Sequence, residues 1–254
     1  MIKRQGIPAR FRKAEELRRN TVNENTGPMN LLSLMFREIR NDLVITPLFW
    51  DTRLNQYLKD PRNQVVQTSR GRSTERSNLN RELARQEMTL HNFIRGMRVL
   101  RPINLKFMLL IEHRDKTRTC HVDEIDEIDL YTEYHNAKYP HRLNILHRLF
   151  LDIKSKVIVD DADWENRVNK YVNEPVNGFV ERNRQSTERS NLNRGIKNPD
   201  MSIKVFTKAM KVIDPQCIYF TLELTFPDDR ITLHEVRMDG RFLVTSEDED
   251  DDDC

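Results

Sequence analysis

The nonapeptide STERSNLNR occurs twice in this chain, at Ser73–Arg81 and again at Ser186–Arg194. A match of this length is very unlikely to arise by chance, so it indicates an internal duplication. When the two occurrences are superimposed, Trp50 aligns with Trp164 and the halves stay in register with a single one-residue gap. Roughly a third of about 91 aligned positions are identical, which predicts two copies of one fold.

Each copy shows the same sequence of periodicities around the nonapeptide. Two segments with helical spacing come first, NLLSLMFREIRNDL and TPLFWDTRLNQYL in the first copy, where Thr46 is a suitable N-cap. A polar loop of about ten residues, a short helix capped by Ser77 and a further helix beginning at Met88 or Thr89 are expected next. Alternating segments then predict a β-hairpin, INLKFMLLIEH and TRTCHV around the turn RDK.

These patterns predict an α+β protein, built as two tandem copies of a small helical bundle followed by a β-hairpin. In the second copy, Asp161 or Asp163 is expected to cap the second helix. The predicted units are a basic N-terminal arm (1–28), copy 1 (29–124), an acidic and aromatic linker (125–142), copy 2 (143–240) and an acidic tail (241–254). A helix is expected near residues 14–19 of the arm.

The charge of the chain is unevenly distributed. The formal net charge is +2, but seven consecutive acidic residues lie at 247–253, and without them 42 basic residues face 33 acidic ones. The body is therefore basic, and the tail either competes with nucleic acid for it or keeps the protein soluble. Cys120, Cys217 and Cys254 lack paired spacing, so no zinc site or disulfide framework is expected, and the setting is predicted to be intracellular. No apolar run is long enough to span a membrane.

Few residues suggest catalysis. His121 and His234 align, as do Glu75 and Glu188, but a histidine beside a turn is more typical of packing than of chemistry. A metal site between His121 and its hairpin neighbour is not expected, because the second copy lacks that neighbouring histidine. Since no nucleophile elbow or glycine-rich phosphate loop occurs either, we predict no catalytic residues, no metal, no cofactor and no enzymatic activity.

The run SNLNRELARQEMTLHNFIRGMRVL, residues 77–100, resembles the helix-turn-helix of repressor and antitoxin families. The resemblance implies that the second helix enters the major groove and reads bases from its first turns. The positions this assigns are Thr89, His91, Asn92 and Arg95, with Ser202, Lys204, Val205 and Lys208 in the second copy, of which the apolar Val205 is not expected to read a base. Two such modules imply two half-sites, about one turn of duplex apart or a multiple of it.

Basic and amide side chains next to this motif are suited to phosphate contacts. The residues predicted to make them are Arg72, Arg76, Asn78, Asn80 and Arg81, with Arg189, Asn191, Asn193 and Arg194 in the second copy. The leading hypothesis is therefore a non-enzymatic protein that binds double-stranded DNA. The identical nonapeptides have two possible reasons, a cap and turn required by the fold or a contact that both copies make with one kind of partner.

The chain as a whole resembles products of tailed bacteriophages, with its Arg- and Asn-rich helices, duplicated small unit and acidic C-terminus. This resemblance implies a regulator acting on DNA in the host cytoplasm, or a component of the virion. The second role would rest on protein partners or self-assembly, since open hairpin edges can pair with another chain and the basic arm can embrace a neighbour.

Overall fold

The computed structural model describes residues 30–44, 46–131, 144–179 and 181–240. Within them the protein is α+β, as predicted, with nine α-helices and one four-stranded antiparallel sheet. The predicted basic arm, the helix near residues 14–19, most of the linker and the acidic tail lie outside the described residues.

Four helices and two strands form the first half of the described chain. Asn30 caps the first helix by accepting from the Ser33 amide at 3.0 Å, and Thr46 caps the second by accepting from the Phe49 amide at 3.2 Å, which confirms the predicted Thr46 cap. The elements are α1 (Leu31–Leu43), α2 (Pro47–Lys59), a 3₁₀ turn (Pro61–Asn63), α3 (Ser69–Leu83), α4 (Leu90–Leu100), β1 (Asn104–Glu112) and β2 (Arg118–Asp126).

The second half has the same order of elements, with lengths equal or within one residue. They are α6 (Ile145–Val157), α7 (Asp161–Asn173), a 3₁₀ turn (Pro175–Asn177), α8 (Arg182–Gly195), α9 (Ile203–Ile213), β3 (Cys217–Thr225) and β4 (Ile231–Asp239), preceded by the short helix α5 (Glu127–Tyr131). Neither of the predicted caps of α7, Asp161 or Asp163, was correct. Asp160 caps it, accepting from the Asp163 amide at 2.8 Å, because Asp161 and Asp163 already lie inside the first turn.

The two hairpins join into one sheet with the order β2–β1–β3–β4. Strands β1 and β3 are antiparallel neighbours, and Met108 lies opposite Thr221. These two residues are also aligned positions of the two halves, so a local two-fold axis of the sheet passes between them. The inner strand of each hairpin, whose open edge was expected to be able to pair with another chain, thus pairs with the inner strand of the other hairpin.

One face of the sheet carries the core. Leu105, Leu109 and their alternate neighbours on β1 and β3 are buried, as strand periodicity requires. Aromatic rings connect this face to the helices. The ring centre of Phe93 in α4 lies 6.4 Å from that of Phe107, and the ring centres of Phe107 and Phe220 are 6.0 Å apart. Phe107 and Phe220 are aligned positions, so one hydrophobic core extends across both halves.

The first helix of each half contacts the outer strand of the other half. His121 of β2 is bonded through Nδ1 to Asp152 of α6 at 2.7 Å, and His234 of β4 is bonded through Nδ1 to Asp42 of α1 at 3.0 Å. Each ring also contacts a threonine hydroxyl on its own strand through Nε2. Both imidazoles are almost fully buried, so these hydroxyl–imidazole–carboxylate chains join the halves and leave no room for a substrate at the ring.

The predicted linker begins with ordered structure. Strand β2 continues to Asp126, and α5 follows directly, so the strand passes the predicted copy boundary at 124. Leu130 is buried, and the guanidinium carbon of Arg62 lies 3.9 Å from the centre of the Tyr131 ring. The aromatic start of the linker therefore packs on the first half.

The other face of the sheet has no helix packed on its apolar side chains within the described chain. Met108 and Leu110 form a small cluster of their own there, separate from the main core. Val122, Ile231 and Leu233 are respectively 50, 60 and 45% exposed on the same face. This exposed apolar area is available for protein contacts.

Residues 30–131 expressed alone should fail to form a stable monomer. The fragment would expose the inner edge of β1 and Phe107, and an isolated two-stranded ribbon is marginally stable in water. We expect either no cooperative urea transition or self-association, measured by denaturation and light scattering. Adding residues 144–254 should restore one cooperative transition. A monomeric, cooperatively folded 30–131 would contradict the shared core.

The protein should lose stability as pH falls below about 6.5, the ordinary histidine pKa. Burial lowers the pKa of His121 and of His234, although Asp152 and Asp42 oppose the effect. The unfolded chain therefore binds protons first, and stability is fully present above that pH and lost below it. In H121Q/H234Q the slope of unfolding free energy against pH should fall by up to about 1.4 kcal/mol per pH unit for each histidine. An unchanged slope would contradict this.

Candidate nucleic-acid interface

The nonapeptide lies inside one continuous helix in each half. The helix predicted from Ser77 is present, but its predicted start and cap and the predicted length of the polar loop were wrong. Helix α3 begins at Ser69 and is capped by Thr68, which accepts from the Gly71 amide at 3.0 Å. Ser77 is in mid-helix, where its hydroxyl donates to the Ser73 carbonyl. Because α3 buries few apolar residues, its sequence has the polarity of a loop although its backbone is helical.

Part of the nonapeptide is required by packing. Leu79 and Leu192 are buried. The side-chain carbonyl of Asn80 accepts from the Trp50 indole at 3.1 Å, and Asn193 does the same for Trp164 at 3.0 Å. These two asparagines, expected to hold phosphates, thus satisfy the indole N–H of buried tryptophans.

The glutamates of the nonapeptide join a second internal network. The Tyr57 hydroxyl donates to Glu75 at 3.2 Å, and Arg95 forms an ion pair with the same carboxylate. Burial opposes ionisation of Arg95, but its hydrogen bonds with Tyr57 and Glu75 raise its pKa above the ordinary value. In the second half Tyr171 and Lys208 contact Glu188 at 3.3 and 3.0 Å. Arg95 and Lys208, both predicted base readers, therefore have internal partners.

The remaining polar residues of the nonapeptides lie nearer the surface. Arg76 pairs with Asp51 at 3.3 Å and also contacts Asn55. Arg81 donates to Asn78 at 3.2 Å. The second half repeats the last contact between Arg194 and Asn191 at 2.9 Å, whereas Arg189 is partly buried and its Nε has no hydrogen-bond partner among the described residues.

Helix α4 is unsuited to groove insertion because nine of its eleven residues are buried. Thr89 is exposed but caps the helix, accepting from the Asn92 amide at 3.2 Å. Asn92 is buried and donates to Glu82. Among the predicted readers that lie within this helix, only His91 is exposed.

Helix α9 is more open at its start. Ser202 is exposed and caps the helix by accepting from the Val205 amide at 3.2 Å. Lys204 is exposed as well, and Val205 is partly buried. The second half therefore keeps Ser202 and Lys204 accessible, while Lys208 is held inside by Glu188.

A cleft of about 750 Å³ lies between α2, α3 and α4. It brings together three residues of the predicted interface, Asn78, His91 and Arg95, with the additional arginines Arg70 and Arg98. Arg72 borders this region through a contact to Gln67 at 3.5 Å. The lining is a mixture of polar and apolar residues; its charged members are Arg70, Arg95, Arg98 and Glu75, and Glu75 is already engaged by Arg95.

The first turns of α3 and α8 carry three arginines that were not among the predicted contact residues, although they belong to the basic stretches of the two copies. Arg70, Arg182 and Arg184 are exposed, and none forms an ion pair with any residue that the structure describes. Neither first turn contains an acidic residue. Helix assignment is the signal that would have found them, because a first turn normally favours acids.

Asn80→Ala should destabilise the protein by about 1–3 kcal/mol, because it leaves the buried Trp50 indole N–H without its acceptor. Asn78→Ala is the matched control, since the side chain of Asn78 hydrogen-bonds, among the described residues, to the exposed Arg81 alone, and it should change stability by less than about 0.5 kcal/mol. Urea denaturation monitored by tryptophan fluorescence measures both. Equal effects of the two substitutions would contradict a packing role for Asn80.

Within the described residues, no group of three or more His, Cys, Asp or Glu side chains could hold a metal ion. The same part of the chain contains no helix that is long and apolar enough to cross a bilayer. Comparison of the chain with protein-family models, curated proteins and solved structures found no match.

Proposed function

We propose that this protein binds nucleic acid, most readily double-stranded DNA, through phosphate contacts at the N-terminal turns of α3 and α8. One observation carries the proposal: Arg70, Arg182 and Arg184 are exposed at helix starts without an ion-pair partner in the described chain. Guanidinium groups bind phosphate oxygens in bidentate geometry, and phosphate contacts supply most non-specific affinity for DNA.

Helix physics supports a binding role for these arginines. The N-terminus of a helix carries partial positive charge, so a cation there is unfavourable by roughly 0.3–1 kcal/mol. The same partial charge and the free amide groups favour a bound phosphate. Arginines in the first turns of both helices thus weaken the helices slightly but would strengthen a phosphate site.

The proposed contact differs from insertion of α4 into the major groove. Phosphates would be held by the arginines of the N-terminal turns, including the partly buried Arg72, and the exposed Arg81 and Arg194 in the last turns of the same helices would add further contacts. Any base reading would come from Ser202 and Lys204 at the start of α9, which are exposed. Affinity should then depend weakly on sequence and strongly on salt.

We also propose that the two halves are tandem copies of one unit, which gives the protein two equivalent phosphate sites. The repeated nonapeptide, the repeated element order and the local two-fold in the sheet support this origin. A non-enzymatic phage regulator working in the host cytoplasm is the role we infer for such a protein, from the resemblance in composition and organisation.

A virion or assembly protein is the second candidate. The open face of the sheet favours it, because Val122, Ile231 and Leu233 are about half exposed or more without a covering helix in the described chain. Such a protein should form a defined oligomer in light scattering, or be found by mass spectrometry of purified particles. A monomer absent from particles would remove this candidate.

Arg182→Glu with Arg184→Glu should weaken binding to a short DNA duplex by more than tenfold and lower the slope of log affinity against log salt by about 2, one for each lost phosphate contact. Fluorescence anisotropy across a salt series measures both quantities. The matched control is Lys59→Glu with Lys116→Glu, which makes the same charge change outside α3 and α8.

The control should bind within a few-fold of the natural chain. Because the acidic run at 247–253 can compete with DNA, the measurements should be repeated on a chain that ends at residue 240. Absence of binding by that shortened chain at low salt, or equal losses in both double variants, would refute the proposed interface.

A further inference from the structure

The 3₁₀ turn after the second helix of each half is held by the same contact. Asn63 donates to the Tyr57 carbonyl at 3.0 Å, and Asn177 donates to the Tyr171 carbonyl at 2.8 Å. The chain therefore enters the next loop in the same register in both halves, and the residues beyond the turn can be compared position by position. In the first half this loop forms a wall of the cleft between α2, α3 and α4.

One residue of this wall is much smaller than its counterpart in the other half. Val65 lines the cleft, and the aligned residue of the second half is Phe179. The Phe179 ring packs edge-on against Tyr171, with the ring centres 5.8 Å apart. Tyr57, which aligns with Tyr171, also lines the cleft. Beside this tyrosine the second half thus places an aromatic ring where the first half has a valine and a cavity.

The first half also has an extra residue at the same place. Gly71, in the first turn of α3, lines the cleft, and the one-residue gap between the halves falls beside it. A Cβ at this position would lie 2.6 Å from the Val66 carbonyl oxygen, which is too close. The glycine therefore lets α3 begin directly against the loop. Two differences between otherwise similar halves meet at one cavity.

The uncharged lining suits a small organic ligand. Val65, Val66 and Ile94 form the apolar wall of the cleft, while Thr74 and Asn78 of α3 supply a hydroxyl and an amide. The volume of about 750 Å³ lies in the range of roughly 300–1,000 Å³ that is common for small-molecule sites. A ligand with an apolar ring face and hydrogen-bonding groups on its edge would match this combination.

The charged lining favours an anion. It consists of three arginines, Arg70, Arg95 and Arg98, and one carboxylate, Glu75. Glu75 forms an ion pair with Arg95, and the Nε of Arg98 donates to the Leu130 carbonyl at 2.6 Å. Arg70 is exposed and forms no ion pair within the described chain, so its guanidinium is the group best placed to receive a negative charge on the ligand.

We propose that this cleft binds one nucleoside monophosphate, with the phosphate on Arg70 and the base against the apolar wall of the cleft. A guanidinium donates to two phosphate oxygens in parallel, and the amide of Asn78 can both donate to and accept from a base edge or a sugar hydroxyl. Arg70 also belongs to the proposed DNA interface. The cleft does not need the arginines of α8, however, so the site can exist whether or not the protein binds duplex DNA.

The test is isothermal titration calorimetry of the full chain with the four ribonucleoside monophosphates at constant ionic strength. At least one should bind saturably with a stoichiometry of one, because the second half has Phe179 in place of Val65. It should bind at least about tenfold more tightly than its nucleoside or inorganic phosphate, since only the whole molecule reaches both Arg70 and the apolar wall. Equal affinity for inorganic phosphate, or two molecules bound per chain, would contradict the proposal.

Val65→Phe puts into the first half the ring that the second half carries. It should therefore fold, and it should weaken binding of the monophosphate by at least about tenfold because the ring fills the cleft. Val159→Phe is the matched control, since it makes the same substitution at a position that is 88% exposed and outside the cleft, and it should bind as the natural chain does.

Arg70→Gln is the second variant, and it decides the question if Val65→Phe does not fold. It should weaken binding of the monophosphate several-fold and leave the weaker binding of the nucleoside unchanged, because only the phosphate contact is lost. Equal losses for the monophosphate and the nucleoside would contradict the assigned orientation.

Arg182→Glu with Arg184→Glu separates this site from the DNA interface. That variant should keep its affinity for the monophosphate, and Val65→Phe should bind duplex DNA within a few-fold of the natural chain. A protein that binds nucleotide but no duplex would refute the DNA proposal alone. The nucleotide site is overturned if none of the four monophosphates binds saturably, or if folded Val65→Phe keeps full affinity.

Discussion

The antiparallel pairing of β1 with β3 is the constraint on which the rest of the structure depends. Each hairpin alone is a two-stranded ribbon, which is marginally stable in water, and together they make a four-stranded sheet whose two inner strands present an apolar face to the core. The contact between Phe107 and Phe220 spans this junction. Because the sheet is shared, α1 and α6 each pack on the outer strand of the opposite half.

Local features of this fold could be predicted from the sequence, and non-local ones could not. The Thr46 cap and the two hairpins follow from short patterns that physical chemistry makes unambiguous. The first half of helix α3 was missed because only Leu79 and Leu83, both in its second half, are buried on it, so the earlier residues show no helical periodicity. The pairing of β1 with β3 joins residues more than a hundred positions apart, and no sequence spacing encodes such a register.

The functional site was harder to predict because a residue can be identical in the two halves for either of two reasons, packing within the fold or contact with a partner. Asn80 and Glu75 are repeated for internal bonds to Trp50 and Tyr57, and nothing in their sequence context separates these roles from contact with a partner. Arg70, Arg182 and Arg184 stand out only once the helix starts are known.

The bond between Asp42 and His234 joins residues 192 positions apart. During synthesis, α1 therefore leaves the ribosome long before the strand that buries it exists, and the first half cannot complete its own packing as it emerges. Native closure must wait until β4 has been made, so the chain passes through a period in which apolar surface of α1 and the inner edge of β1 are both uncovered. Such a topology links folding yield to the speed of translation and to chaperone binding in that interval.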